Sequence, residues 1–317
     1  MASLVKSFVS IIFAVGFVSV QPTPAKAELP RTGVAIDNGI VAVTQSDTWG
    51  GAVVSMKFKG AEFIDVHDAG RELQFSEYCK SGWKPFATDG YTFTPKARIV
   101  LNPNQAGDAS AQKSMVLYAR RVSETTLQSE CIPREWFTRE WPGLRTRLGA
   151  QFDNSRFIST VSFLPGYSGQ VTRLDCKFIA PVSGSWDSEI PALYLLSQYN
   201  RFYGVDVVSN LVKILTTTRI KATHYAPASK IGGIIATTVT GGKTIGIYGA
   251  WEAQGGSIGS DFLCYTFGKG CTKLGVSSAS HPLAAGGTAT YRSYIVVGNN
   301  PADVIKIMQS LYQAGLR

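Results

Sequence analysis

Between Gly50 and Gly60 the chain reads GGAVVSMKFKG, with Val54, Met56 and Phe58 alternating against Ser55, Lys57 and Lys59. A period of two places the first set on one face of a strand and the second on the other, so this segment is predicted to be a strand with one face wet. It ends at Lys59-Gly60, a tight-turn signal, and residues 61–64 are expected to return beside it. Further β-rich runs separated by turn residues follow at 114–122, 124–131, 156–164, 170–182 and 289–297. The clearest hairpin spans 232–251, where Gly241-Gly242 separates two β-branched runs and supplies the positive φ that a tight hairpin turn needs.

Helical patterning is scarce. At the C-terminus Asn300 can cap, Pro301 fits a first turn, Asp303 suits the positive helix end, and Val304, Ile307, Met308 and Leu311 fall on one face. A second helix is expected over 191–202. A parallel α/β fold needs a helix between most strands, and too few are present. The prediction is an all-β protein, one large antiparallel β-sandwich over 28–317 with the C-terminal helix on its edge or outer face. The polar, Gly/Pro-dotted stretch 88–112 reads as a long loop.

The first 27 residues read differently. Lys6 precedes an uninterrupted apolar run, Phe8 to Val20, and a polar stretch follows that ends Ala-Lys-Ala. This order predicts a signal peptide cleaved near Ala27 and a chain that is secreted or periplasmic. The run is short against the roughly 20 residues that span a bilayer, so no stable membrane insertion is expected. Loss of Lys6 and Lys26 leaves a net charge of +7 from the +9 of the full chain. The cations are scattered, which argues against nucleic acid and leaves a polyanionic glycan or simple solubility. Outside the cytosol disulfides persist. Cys264 and Cys271 flank a short Gly-containing segment and are predicted to be bridged, with Cys79–Cys131 a weaker second pairing. No Cys/His spacing suits zinc and no nucleotide motif occurs, so neither metal nor cofactor is expected.

The densest polar stretch is 66–78, with His67, Asp68, Arg71, Glu72, Gln74 and Tyr78. Arg71 offers a planar fork for a carboxylate or paired hydroxyls, re-aimed by the turn that Gly70 permits. The alternative is a polar loop tied by its own ion pair. Trp83, Trp136, Trp141, Trp186 and Trp251 mostly sit beside charged residues, as sugar-stacking rings do; any one of them can equally be core. Among titrating groups, His67 and His224 with Tyr225 and Glu252 are the candidates for acid–base work, with Arg71 and Glu72 beside them. Asp68, Gln74, Tyr78, Trp83, Trp136, Trp141 and Trp251 are assigned to substrate binding. Glu135 and Glu140 would serve glycoside hydrolysis if they faced each other.

Gly50-Gly51 opening an alternating strand, Lys59-Gly60-Ala61-Glu62-Phe63-Ile64, and Asp68-Ala69-Gly70-Arg71-Glu72-Leu73-Gln74 together resemble the N-terminal part of secreted galactose-mutarotase-like proteins. Asn102-Pro103-Asn104-Gln105-Ala106-Gly107 and the strand 291–298 resemble a loop and the closing strand of the same group. The resemblance implies a supersandwich of large antiparallel sheets that binds carbohydrate on a concave face. His224, in Thr223-His224-Tyr225-Ala226-Pro227, does not match the mid-chain His motif of the aldose epimerases, so no catalytic residue is carried over. Three functions remain open: a secreted glycoside hydrolase or polysaccharide lyase acting on a neutral or anionic oligo- or polysaccharide, a non-catalytic carbohydrate-binding protein, and a mutarotase-type epimerase.

Overall fold

The computed structural model describes residues 31–66, 72–80, 86–88, 91–93, 97–102, 114–135, 151–217, 223–249, 261–266, 271–277 and 281–316. Two large sheets dominate. In the twelve-stranded sheet the central order is Val34–Asp37, Val41–Gln45, Val53–Phe58, Leu73–Lys80, Gly184–Leu196, Cys271–Ser277, Asp261–Thr266, Thr223–Tyr225. In the nine-stranded sheet it is Leu211–Leu215, Arg201–Asp206, Gly232–Thr237, Thr244–Gly249, Thr288–Gly298, Val171–Ile179, Arg156–Phe163, Thr126–Ile132, Met115–Ser123. Neighbouring strands run antiparallel throughout, including Leu73–Lys80 against Gly184–Leu196 and Val171–Ile179 against Thr288–Gly298.

The alternation read from the sequence is what joins the sheets. In Arg156–Phe163 every second residue is buried, and Phe157 and Val161 enter the main core. Leu73, Phe75 and Cys79 from the facing sheet meet them, with Leu193, Leu195, Leu274 and Val276. The turn at Lys59-Gly60 forms as expected: both residues take positive φ (48° and 80°) and Phe58 pairs with Ala61. The 232–251 hairpin also forms, from Gly232–Thr237 and Thr244–Gly249 with Gly241 at φ 73°.

The helix Pro301–Gln313 lies on the outer face of the nine-stranded sheet. Asn300 caps it by accepting from the Asp303 backbone N–H at 3.0 Å, and Val304, Met308 and Leu311 are buried against Ile235, Tyr248 and Val296. Each such apolar side chain contributes on the order of 1.5–3 kcal/mol. Gly233 and Gly246 make the seat, since a Cβ on Gly246 would lie 2.6 Å from the Met308 methyl.

Four expectations are corrected. Residues 88–112 are not one long loop: Tyr91–Phe93 and Ala97–Asn102 are strands, and the second pairs with Leu73–Lys80. Residues 191–202 do not form a helix; they fall in the strand Gly184–Leu196, the turn after it and the start of the strand Arg201–Asp206. That strand pairs on both sides, with Leu73–Lys80 and Cys271–Ser277, and this pairing overrides local helix propensity. Cys264 and Cys271 are not bridged: both are buried free thiols, as are Cys79, Cys131 and Cys176. Cys264 is in register with Leu274, three residues from Cys271. Three residues of strand are about 10 Å, beyond the roughly 7 Å limit for a bridge. Trp186 is core, fully buried with its ring 5.0 Å from that of Phe178, and is no part of an aromatic groove.

Candidate functional site

The central strands of the twelve-stranded sheet have two faces, and both carry polar groups. Leu73, Phe75, Cys79, Leu193, Leu195, Leu274, Val276, Phe262 and Tyr225 belong to the core, so the alternate residues of these strands project from the outer face. Strand register sorts them into rows. One row crosses five strands as Gln74, Ala192, Gly275, Leu263 and His224. The adjacent row carries Tyr194, Lys273 and Tyr265. Asp187 and Tyr78 face each other further along.

At the centre of this face Lys273 Nζ lies 2.5 Å from Glu189 Oε1, and Tyr78 donates to Glu189 Oε2 at 3.2 Å. The ammonium also sits 4.8 Å from the Tyr194 ring centroid and 5.5 Å from that of Tyr265. Glu189 reaches Lys273 by crossing over Gly275, where a Cβ would come 2.5 Å from Oε1. Lys273 is 4% exposed, Glu189 8% and Gln74 2%, on a face turned away from the core. Burial is the largest influence and works against a charged ammonium, but the Glu189 carboxylate together with the surrounding tyrosines more than offsets it, and the Lys273 pKa stands well above the ordinary lysine value. Burial raises the phenols of Tyr78, Tyr194 and Tyr265, so all three are neutral donors rather than tyrosinates at neutral pH.

Directly behind this cluster a second polar group crosses the core. Ser188 pairs in register with Glu77 on the inner face, 2.9 Å from its Oε1. The Ser188 hydroxyl is 2.6 Å from that of Tyr291 on the opposite sheet, and Tyr291 is 3.0 Å from His281 Nε2. Burial pushes the Glu77 carboxyl well above its usual range. The Glu77 carboxyl, the Ser188 and Tyr291 hydroxyls and His281 Nε2 thus form one continuous hydrogen-bonded group across the core.

Of the residues chosen from sequence, Glu72, Gln74, Tyr78 and His224 are on the outer face, the first two fully buried and His224 exposed. Tyr225 points the other way, into the core against Gly204 and Phe262. His67, Asp68, Arg71, Trp83, Trp136, Trp141, Trp251 and Glu252 lie outside the described residues, as do Glu140 and the Glu135 side chain. Glu189, Lys273, Tyr194 and Tyr265 were not anticipated. For Glu189 and Lys273 the signal was a charged residue directly before an apolar run, Glu189-Ile190 and Lys273-Leu274. Among the described residues no His/Cys/Asp/Glu group could hold a metal ion, and no helix is long and apolar enough to cross a membrane.

No protein-family model and no curated protein matches the sequence. Solved structures do match the fold. A galactose mutarotase related enzyme from Lactobacillus acidophilus is similar over 86% of this chain and 99% of its own, at a TM-score of 0.52 and 9% identity. This chain has the galactose-mutarotase-like fold. A galactose mutarotase-like protein from Lactobacillus casei ATCC 334 is similar over 84% of this chain and 99% of its own, with a TM-score of 0.51 and 8% identity. At such identity the likeness is one of fold, and the galactose-mutarotase-like framework here carries its own side chains: a Lys–Glu pair ringed by tyrosines.

Proposed function

We propose that the chain is an exported carbohydrate-active protein that takes a neutral sugar against the outer face of the twelve-stranded sheet. It moves a proton between the sugar and Glu189, as a mutarotase-type epimerase does. The observation that carries this is the Lys273–Glu189–Tyr78 cluster: one carboxylate acceptor beside an ammonium and three protonated phenols. Opening a hemiacetal needs a base for the anomeric hydroxyl and a donor for the ring oxygen. Glu189 is the base; Tyr78, whose hydroxyl already points at it, is the donor; the Tyr194 and Tyr265 rings provide faces for the sugar's C–H bonds. Lys273 is engaged by Glu189, so this pair leaves no surplus cation for a uronate carboxylate, which favours a neutral sugar.

One observation supports a hydrolase as the second reading. Asp187 and Glu189 are two residues apart on the same face of one strand, a backbone separation of about 6.6 Å, comparable to the carboxyl spacings of glycosidases. Polarimetry of freshly dissolved aldoses, followed beside reducing-end release from neutral oligosaccharides, separates the two. Accelerated anomeric equilibration that falls by roughly 100-fold or more in Glu189→Gln supports the first. Release that depends equally on Asp187 and Glu189 supports the second. Activity in neither assay, with no sugar binding, refutes both.

A further inference from the structure

The outer face of the nine-stranded sheet is divided. The helix covers Gly232–Thr237, Thr244–Gly249 and one end of Thr288–Gly298; Val171–Ile179, Arg156–Phe163, Thr126–Ile132 and Met115–Ser123 extend beyond it. Register places outward residues of this uncovered part in rows. Arg120, Gln128, Thr160, Asp175 and Arg292 form one row across five strands. Tyr118, Glu130, Ile158, Lys177 and Thr290 form the next. Arg173 and Arg156 stand in the rows on either side.

The charges on this face do not balance. Its cations are Arg120, Arg156, Arg173, Lys177 and Arg292, against the carboxylates of Glu130 and Asp175. Arg173 and Arg292 both bind Asp175, at 2.8 and 2.6 Å, so one carboxylate serves two guanidinium groups. Arg156 holds Glu130 at 3.2 Å. Arg120 donates to Gln128 at 2.9 Å with its guanidinium 4.7 Å from the centroid of the Tyr118 ring, and no carboxylate pairs with it among the described residues. Lys177 is exposed, and Arg292 is half exposed. Three positive charges are therefore in excess on a regular sheet surface, with hydroxyl and amide groups between them.

We propose that this face is a second binding surface, for an anionic polysaccharide, separate from the Glu189–Lys273 cluster on the other sheet. Arg120 and Arg292 end one row four strands apart, about 19 Å at roughly 4.8 Å per strand, and Lys177 stands in the next row between them, so the surplus cations are spread along the sheet where carboxylate or sulfate groups of an extended chain can meet them. Thr160, Gln128 and Thr290 are placed for sugar hydroxyls, and the Tyr118 ring, held by Arg120, offers a flat surface at the edge. Such a surface would keep an exported protein on its polymer while the other sheet handles a sugar.

Binding of polygalacturonate and dextran sulfate to the mature chain at about 0.1 M salt tests this, with neutral dextran and single-stranded DNA as comparisons. The expected result is binding to both polyanionic polysaccharides, little to dextran and weaker binding to DNA. The triple variant Arg120→Gln, Lys177→Gln, Arg292→Gln should then lose about ten-fold in affinity while its melting temperature stays close to that of the parent. A control triple with the same charge change on exposed lysines elsewhere, Lys57→Gln, Lys213→Gln, Lys306→Gln, should lose much less. Polyanion binding should be unchanged by an excess of neutral monosaccharide, which keeps this outcome independent of the sugar site. Equal losses in both triples, tighter binding to DNA than to either polysaccharide, or no polyanion binding at all would overturn the proposal.

Discussion

The two polar clusters on the central strands sit back to back, one residue apart in sequence: Glu189 beside Ser188, Tyr78 beside Glu77. On the inner side a carboxyl without a cation is held neutral by burial and completes a chain of hydroxyls to His281. On the outer side a carboxylate meets an ammonium at 2.5 Å, and the lysine keeps its proton despite 4% exposure. Burial is similar; what differs is the partner. A lone buried acid gives up its charge, whereas a buried acid with a lysine keeps it. Charge retained on a face is available for chemistry, while a neutral hydrogen-bonded chain mainly fixes the register between the strands that carry the site.

The largest way to break this contrast is to remove the cation. Lys273→Met leaves Glu189 buried and uncompensated, and should cost about 3–5 kcal/mol in urea denaturation. The double variant Lys273→Met, Glu189→Gln should recover much of that loss; an additive double mutant would mean that the two groups do not interact. Gly275→Ala is the next largest. Its Cβ would meet Glu189 Oε1 at 2.5 Å and Leu263 Cδ1 at 3.1 Å, so it should cost about 1–3 kcal/mol and displace the carboxylate from Lys273. A variant as stable as the parent would show that Glu189 does not cross over that glycine.

The inner cluster carries a pH signature. Glu77 has a folded pKa raised above its unfolded value, so the native state holds a proton that the unfolded chain has released. Its contribution is fully present below about pH 4.5 and declines as pH rises toward the folded pKa, at up to about 1.4 kcal/mol per pH unit. Glu77→Gln should flatten the stability profile above pH 5. A parent profile that rises over this range, with no change in Glu77→Gln, would mean that the carboxyl is ionised. Asp206 acts in a different window. Burial would raise its pKa, but hydrogen bonds from Ser229 and Ser209 bring it down to about 2, so its stabilisation is lost only as pH falls from about 4 toward 2.

The smallest expected effect concerns the thiols. With all five cysteines buried and free, reductant should leave the melting temperature unchanged and a non-reduced digest should yield Cys264 and Cys271 as separate thiols. A drop of several degrees under reductant would restore the bridge read from their spacing.

What was legible in the sequence was local. The Lys59-Gly60 turn, the Gly241 hairpin and the Asn300 cap each depend on a few adjacent residues whose backbone preferences agree with the fold. The strand Gly184–Leu196 was not legible at its C-terminal half, because Leu193 and Leu195 are set in place by strands more than 70 residues away on either side. The site divided the same way. Gln74 and Tyr78 stood out in a dense polar stretch, and His224 stood out as one of three histidines. Glu189 and Lys273 lie more than 80 residues apart in sequence, and only the pairing of Gly184–Leu196 with Cys271–Ser277 brings them together. The face of Tyr225 was not legible: its neighbour His224 is outward, which turns Tyr225 toward Gly204.

The side-chain ammonium of Lys273 is the most direct probe of the proposed site. With lysine side chains labelled with nitrogen-15, its resonance, assigned by comparison with Lys273→Met, can be followed through a pH titration and then through addition of neutral monosaccharides. The expected result is an ammonium that stays protonated above the range of the exposed lysines and shifts on sugar addition, with both behaviours lost in Glu189→Gln. A Lys273 that titrates with the exposed lysines and does not respond to any sugar would contradict both the ion pair and the site built on it.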